Sequence, residues 1–336
     1  MTGIENSKSL VSICKPCLLI SLLLVSAIPM ALCVNSDEAI HPGRKLSALV
    51  PSAPLVLQYH RGPLLTGPSG INIYFLWYGR FSPSQKAIVS DFVSSLGATT
   101  PTQPSVSSWW ATTQRYTDSA KQSVSRLVKI GGQASDALYS LGKNLKRSHV
   151  TLLVKGALAK RLFPSDARGI YIVLTADDVY VERFCMNSCG FHDSVRLSKS
   201  ERVLFGWVGN SGVQCPGQCA WPYATPLYGP PAAPLIPPNG DVGVDGMIIN
   251  IATILAGTAT NPFNSGYYQG SALAPQEAVT ACSGIFGKGA YPGYPGELLT
   301  DKKSKAKYNA YGINNREFLL PAIWEPSQLA CRTPLS

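Results

Sequence analysis

The residues of this chain with the means to do chemistry are few and scattered. Asp177, Asp178 and Glu182 follow an apolar stretch, and Glu277 stands alone further on. Hydrolysis of a glycosidic bond needs two carboxyl groups facing each other across a cleft, so these four are weak candidates for catalysis. A plainer reading stands beside it: Asp177-Asp178 turns the chain where a strand ends. Asp241 and Asp245 lie in Asn239-Gly240-Asp241-Val242-Gly243-Val244-Asp245-Gly246. That run suggests a calcium loop but lacks the spacing and terminal glutamate of an EF-hand. Asp245 reads instead as a helix N-cap. Gly209-Asn210-Ser211-Gly212 is one residue short of the Gly-x-Ser-x-Gly nucleophile elbow. Ser211 with His192 as its base is a thin case for a hydrolase, because Gly-Asn-Ser-Gly is far more often a plain turn. The sequence holds no His-Glu-x-x-His, no Walker loop and no Gly-x-Gly-x-x-Gly. No catalytic set, no metal and no cofactor is therefore assigned.

Aromatic side chains offer a second kind of chemistry, stacking on sugar rings. Trp109-Trp110 draws attention, because adjacent residues point apart in a strand and lie about 100° apart in a helix. One of the two can then reach solvent, which makes the pair a weak polysaccharide-binding candidate. Core burial is the competing reading, since most large aromatics are simply core.

The cysteines speak to compartment. Cys14, Cys17 and Cys33 fall in the first 34 residues, and Cys185, Cys189, Cys215, Cys219, Cys282 and Cys331 remain. Cys185-x3-Cys189 and Cys215-x3-Cys219, with His192 close by, have the outline of a zinc site. An even count in a chain bound for an oxidising compartment points instead to three disulfides, with every connectivity open.

Residues 1–34 read as a cleaved signal peptide. Lys8 and Lys15 precede an apolar run from Leu18 to Val25, and Ser26, Ala27, Pro29 and Ala31 supply small residues and a breaker. An uncleaved anchor is the alternative, opposed by Pro29 and by the lack of a positive cluster after the run. Residues 35–54 read as a flexible mature N-terminus, and residues 55–336 as one domain, with no internal repeat and no clean linker. At 14% charged and 45% hydrophobic residues the composition is that of a folded protein. The formal net charge is +10. Nucleic acid is the reflex partner for such a balance, but secretion argues against it. An acidic extracellular polymer suits the charge better, through an attraction that salt screens.

Several elements are legible. Ile71–Tyr78, Gly169–Thr175 and Val203–Val208 read as strands from their β-branched and aromatic content. Leu55–Tyr59 is expected to pair with Ile71–Tyr78 as a hairpin across Gly67-Pro68-Ser69-Gly70. Ser82 and Pro83 start a helix that Gly97 closes. Asp136–Leu145 and Thr151–Leu162 are read as helices. Residues 215–241 are loop-rich, with eight prolines between Pro216 and Pro238. Asp245–Thr258 is apolar on nearly every face and reads as a central buried helix.

Several motifs resemble the EXORDIUM and EXORDIUM-like proteins of plants, the phosphate-induced protein 1 family. They are Leu76-Trp77-Tyr78-Gly79, Val181-Glu182-Arg183-Phe184-Cys185-Met186-x-x-Cys189-Gly190 and Trp207-Val208-Gly209-Asn210-Ser211. Cys215-Pro216-Gly217-Gln218-Cys219-Ala220-Trp221-Pro222, the run from Asn239 to Met247, and Tyr291-Pro292-Gly293-Tyr294 belong with them. The resemblance runs from about residue 55 to the end. It implies a secreted protein of the apoplast or cell wall that promotes cell expansion and growth, linked to brassinosteroid response and carbon status. It brings no enzymatic activity and no catalytic residues. A second likeness is to zinc-peptidase-like proteins, in the segment Thr253–Pro262 followed by Glu277-Ala278-Val279-Thr280-Ala281-Cys282. There the ligand positions carry Thr253, Ile254 and Gly257, which cannot hold zinc. It implies a zincin-like fold that has lost its metal.

The expectation is thus a single α+β domain with a mixed sheet and a central buried helix. Its function is non-enzymatic and extracellular, with an acidic cell-wall polysaccharide or an extracellular receptor or other protein as partner. Nucleic acid is no partner, nor is a membrane after cleavage. A hydrolase of peptide or cell-wall carbohydrate and a polysaccharide-binding protein are the competing readings.

Overall fold

The computed structural model describes residues 55–99, 102–227, 229–230 and 232–336. The signal peptide and the flexible N-terminus read over residues 1–54 lie outside the described residues.

Strand β1 (Gln58–Tyr59) is short, and β2 (Ile71–Tyr78) matches its expected bounds. Seven of the eight residues of β2 are buried. A strand covered on both faces needs such an unbroken apolar run. Helix α1 (Pro83–Leu96) begins at the expected cap. Ser82 Oγ accepts the Gln85 N–H at 3.1 Å and the Gln85 side chain accepts the Ser82 N–H at 3.0 Å, so the first turn is satisfied reciprocally. Helix α2 (Val106–Ala111) and strand β3 (Val128–Asp136) follow. Strand β4 (Asn144–Leu145) leads into α3 (Arg147–Ala159), β5 (Gly169–Thr175), β6 (Tyr180–Val181), β7 (Gly190–Arg196) and β8 (Arg202–Gly209). The one-turn helix α4 (Pro216–Cys219), the long α5 (Val242–Thr260) and β9 (Tyr267–Tyr268) complete the main elements. The C-terminal quarter is built of short two-stranded pairs.

Five strands form one sheet in the order β3-β2-β5-β8-β7. The first four are parallel, and β7 returns antiparallel to β8 with Phe191 opposite Trp207 and His192 opposite Gly206. One face carries Ile73, Phe75, Ile172 and Leu174, packed with Phe92 of α1 and Ile248, Ile251 and Leu255 of α5. The opposite face carries Tyr74, Tyr171, Val173 and Phe205, packed with Val150, Leu153, Val154 and Ala157 of α3. The expected mixed sheet and central buried helix are both present. Their layering differs from an α+β plan, because helices cover both faces of a mostly parallel sheet, an α/β sandwich.

Helix α5 lies close against the sheet because Gly206 has no side chain. A Cβ there would stand 2.7 Å from Ile254 Cγ2, closer than van der Waals contact allows.

Three local readings are corrected. Leu55–Tyr59 does not form a hairpin with β2; Gln58 and Tyr59 pair antiparallel with Tyr268 and Tyr267. Asp136–Leu145 is no helix: β3 ends at Asp136, and the chain then turns through Tyr139 (φ 55°) and Gly142 (φ 77°). The helix read over Thr151–Leu162 runs from Arg147 to Ala159.

Candidate functional site

The six cysteines close three disulfides, Cys185–Cys215, Cys189–Cys219 and Cys282–Cys331. The zinc outline of the two short cysteine pairs therefore has no thiolates to offer. The first two bridges staple the loop before β7 to α4. The third ties the turn at residues 280–282 to the C-terminal strand pair.

Trp109 and Trp110 do not reach solvent. They are 2% and 1% exposed, and their indole N–H groups donate to the Pro321 and Ser125 carbonyls at 2.7 and 3.1 Å. The polysaccharide-binding role read for this pair is corrected on that ground. Both residues sit on the buried side of the short α2, whose part-exposed positions are Ser108 and Ala111.

The four carboxylates are not brought together. Asp178 is held by Tyr139 Oη at 2.9 Å and Lys143 Nζ at 2.6 Å. Both bonds favour its charged form, and against the opposing pull of burial they hold its carboxyl below the usual range. Glu182 accepts the Arg147 N–H at the start of α3 at 3.2 Å. The main-chain carbonyl of Asp177 accepts from Gln214 Nε2 at 2.9 Å. None of these three shares a partner with Glu277.

The aspartates of the supposed calcium loop are occupied by protein donors. Asp241, not Asp245, caps α5, accepting the Val244 N–H at 3.0 Å and Gln85 Nε2 at 2.9 Å. Asp245 lies in the first turn, 2% exposed, and accepts the Asn239 N–H and Nδ2 at 2.9 and 2.7 Å. Burial pushes its carboxyl up to about 7 despite those bonds. Asn210 Oδ1 accepts the Gly212 N–H at 3.0 Å, which makes Gly209–Gly212 the plain turn expected of it. Ser211 Oγ is buried and has no hydrogen-bond partner, so no base is poised on it.

One cluster does assemble, around Glu277. His192 on β7 presents Nε2 to both carboxylate oxygens at 3.0 and 2.9 Å. Asn261, directly after α5, donates Nδ2 to Oε1 at 2.7 Å, and its own Oδ1 accepts the Gly266 N–H at 2.7 Å. The Glu277 N–H donates to Thr280 Oγ1 at 2.7 Å. Gly257 on α5 makes room for the pair, since a Cβ there would meet Glu277 Oε2 at 2.7 Å and His192 Nε2 at 3.1 Å. The side chains of His192 and Glu277 are 7% and 10% exposed. Burial disfavours the imidazolium, but the adjacent carboxylate outweighs it and holds His192 above its ordinary value. A carboxylate-oriented imidazole is half of a nucleophile-activating triad. The other half is missing: His192 Nδ1, the nitrogen free to take a proton, is buried with no partner. The arrangement is a closed polar clasp joining α5, the edge strand β7 and the segment that starts at Glu277.

A zinc ion does not fit this donor set. Thr253 Oγ1 is spent on the Ile249 carbonyl at 2.9 Å, Ile254 is apolar and packs on Gly206, and Gly257 offers no atom. His192 and Glu277 make two donors, and no group of three metal-ligating side chains occurs among the described residues. His192 and Glu277 were each visible in the sequence as single candidates. Asn261 was not, and the 85-residue gap between His192 and Glu277 hides their pairing.

The model of the phosphate-induced protein 1 conserved region matches residues 57–334. Protein PHOSPHATE-INDUCED 1 of Nicotiana tabacum is 51% identical over 297 residues, covering 86% of this chain and 92% of its own. Proteins EXORDIUM-like 2 and EXORDIUM of Arabidopsis thaliana are 50% and 48% identical, over 87% and 86% of this chain and 93% of each of theirs. No solved structure matches the chain.

Proposed function

The chain belongs to the phosphate-induced protein 1 family, with the EXORDIUM-like proteins, and from that premise we propose that it is a secreted, non-enzymatic growth protein. It acts in the apoplast or cell wall to promote cell expansion, in a role linked to brassinosteroid response and carbon status. Its basic surface holds it to acidic wall polysaccharide by a salt-screened attraction, or presents it to an extracellular receptor or other protein.

The observation that carries the non-enzymatic reading is the closed clasp of His192, Glu277 and Asn261. Among the described residues these acid–base groups are buried together: His192 Nε2 and Asn261 Nδ2 are both spent on Glu277, and no substrate-facing group stands beside them. A general base must reach the proton it takes, and this one faces only protein. The three disulfides support an oxidising compartment, as does the reading of residues 1–34 as a leader. The finer fold reading, a zincin-like domain without its metal, is compatible with α5 under an antiparallel edge strand.

The test is a panel of wall polysaccharides and unfolded proteins incubated with the purified, disulfide-intact chain, alongside wall fractionation of the tagged protein in plant tissue. The expected result is no turnover and recovery from the wall fraction by salt. Turnover that disappears in a folded Glu277→Gln variant would overturn the reading in favour of a hydrolase.

A further inference from the structure

Five of the six tryptophans, Trp77, Trp109, Trp110, Trp207 and Trp324, are at most 5% exposed. Trp221 is the exception and is part-exposed. Its ring packs on Phe286, with centroids 5.8 Å apart, so it is held rigidly rather than left loose. It lines a cleft of about 550 Å³, and Tyr291 lines it too. Tyr291 is 65% exposed, and its ring lies 5.2 Å from that of Tyr294. Pro230 and Pro292 extend the apolar lining, while Gln218 and Ser283 add polar atoms.

Three features say what would fill this cleft. The first is charge. Among the described residues no acidic or basic one lines it, although the chain carries a net +10. A uronate chain would bring its carboxylates to a wall that offers them no cation, so the occupant is uncharged. The second is the open ring of Trp221. A Cβ on Gly284 would stand 3.8 Å from that ring, which is ordinary contact distance for a stacked carbon. Gly284 is held at φ 75°, a conformation that favours glycine, and with no side chain it leaves that edge of the ring uncovered. The third is the hydrogen-bonding groups. The Trp221 indole N–H has no partner among the described residues. Gln218 donates Nε2 to the Met186 carbonyl at 3.1 Å, while its Oε1 has no donor. Gln218 Oε1 is buried behind the lining, so the polar groups open to a ligand are the Trp221 N–H and the exposed Ser283 hydroxyl, which donates to the Thr280 carbonyl at 3.3 Å and keeps its lone pairs to accept. A proline-rich peptide would satisfy only the donor, because proline has no N–H. A sugar ring supplies hydroxyls that both donate and accept, and a C–H face that stacks on an aromatic ring.

We propose that the cleft between Trp221 and Tyr291 binds an uncharged saccharide chain, one ring stacked on Trp221 and its neighbour against Tyr291. This deepens the reading of an extracellular wall protein and rests on it for its biological setting. It corrects the expected site, Trp109-Trp110, to Trp221-Tyr291. It also separates two modes of attachment: general charge attraction, which salt abolishes, and a neutral cleft that salt leaves intact.

The test is calorimetric titration of the purified protein with cellohexaose, with an oligogalacturonide and with a polyproline peptide, each at low and high salt. Cellohexaose is expected to bind equally at both salt levels. Trp221→Ala and Tyr291→Ala should each weaken that binding by about tenfold, the loss of one stacked ring. Tyr291→Phe should retain it. Tyr291 is exposed, so its variants keep the fold and remain decisive even if Trp221→Ala unfolds. Saturable binding of polyproline that needs Trp221 would overturn the proposal, as would binding of the oligogalacturonide alone or of none of the three. A failure here leaves the extracellular reading standing, whereas a protein recovered only from inside cells refutes that reading and leaves the binding result untouched.

Discussion

Glu277→Ala is the perturbation that strikes the polar clasp at its centre. The carboxylate accepts from His192 Nε2 and Asn261 Nδ2, and both donors lose their acceptor at once. Each orphaned buried donor costs about 1–3 kcal/mol. Breaking one partner out of a buried ion pair costs about 3–5 kcal/mol, so the two routes agree near 3–5. The loss depends on pH, and its sign is fixed by His192. Glu277 raises the folded-state proton affinity of His192 above its ordinary value of 6.5, against burial, which lowers it. The stabilisation from that pair is therefore complete below the ordinary value and fades as pH rises through the folded one. The assay is denaturant unfolding of the oxidised protein at about pH 5.5 and about pH 9. It takes in wild type, Glu277→Ala, His192→Ala and the double variant, which together isolate the pairwise term. The coupling should be about 2 kcal/mol or more at the acidic pH and clearly smaller at the alkaline one. A coupling below about 0.5 kcal/mol at both, or one that grows with pH, refutes the clasp.

Other consequences are direct. Burial pushes Asp245 up to about 7 from 3.8, so the folded state holds its proton more tightly than the unfolded chain. Its contribution to stability is present below about pH 4 and is lost as pH rises towards 7, by about 4 kcal/mol in all. Asp245→Asn should flatten that slope in unfolding measured across the window. Replacing Cys282 and Cys331 together by serine opens a loop with a sequence separation of 49. This should lower the unfolding free energy by about 4 kcal/mol, read as a shift of the denaturation midpoint. Ser82→Ala removes the α1 cap and should cost about 1 kcal/mol. Trp109→Phe should lower the melting temperature, by losing the bond to the Pro321 carbonyl, yet leave retention on polysaccharide unchanged.

What the sequence made legible was local. Strands β2 and β5 announced themselves through unbroken apolar runs, and α1 through Ser82, Pro83 and Gly97, because each signal lies within a few residues of what it specifies. The misreadings were of partners. Gln58 and Tyr59 looked for a mate across the nearest turn, but their ladder is with Tyr268 and Tyr267, some two hundred residues on. Asp136–Leu145 looked helical because nothing in its pattern records that Asp136 is the last residue paired to β2 at Tyr78. The six cysteines were legible as a set but not as pairs. Bridges 185–215 and 189–219 depend on where α4 comes to rest beside the loop before β7. Trp109 and Trp110 failed as surface candidates because adjacency says which way two side chains point relative to each other, not whether the protein closes around both. His192 and Glu277 were read singly, and only the register of β7 against β8, with His192 opposite Gly206, turns the imidazole towards α5 and its carboxylate. Nothing in the Cys219-Ala220-Trp221-Pro222 motif marks Trp221 as the part-exposed tryptophan, because exposure is a property of the fold.

The central claim is that this protein promotes growth from outside the cell without catalysing a reaction. The most direct measurement is the elongation of plant tissue supplied externally with the purified, disulfide-intact protein, wild type beside Glu277→Gln matched for folded content by circular dichroism. The account predicts equal elongation with both forms. A folded Glu277→Gln protein that no longer supports elongation, while wild type does, contradicts it.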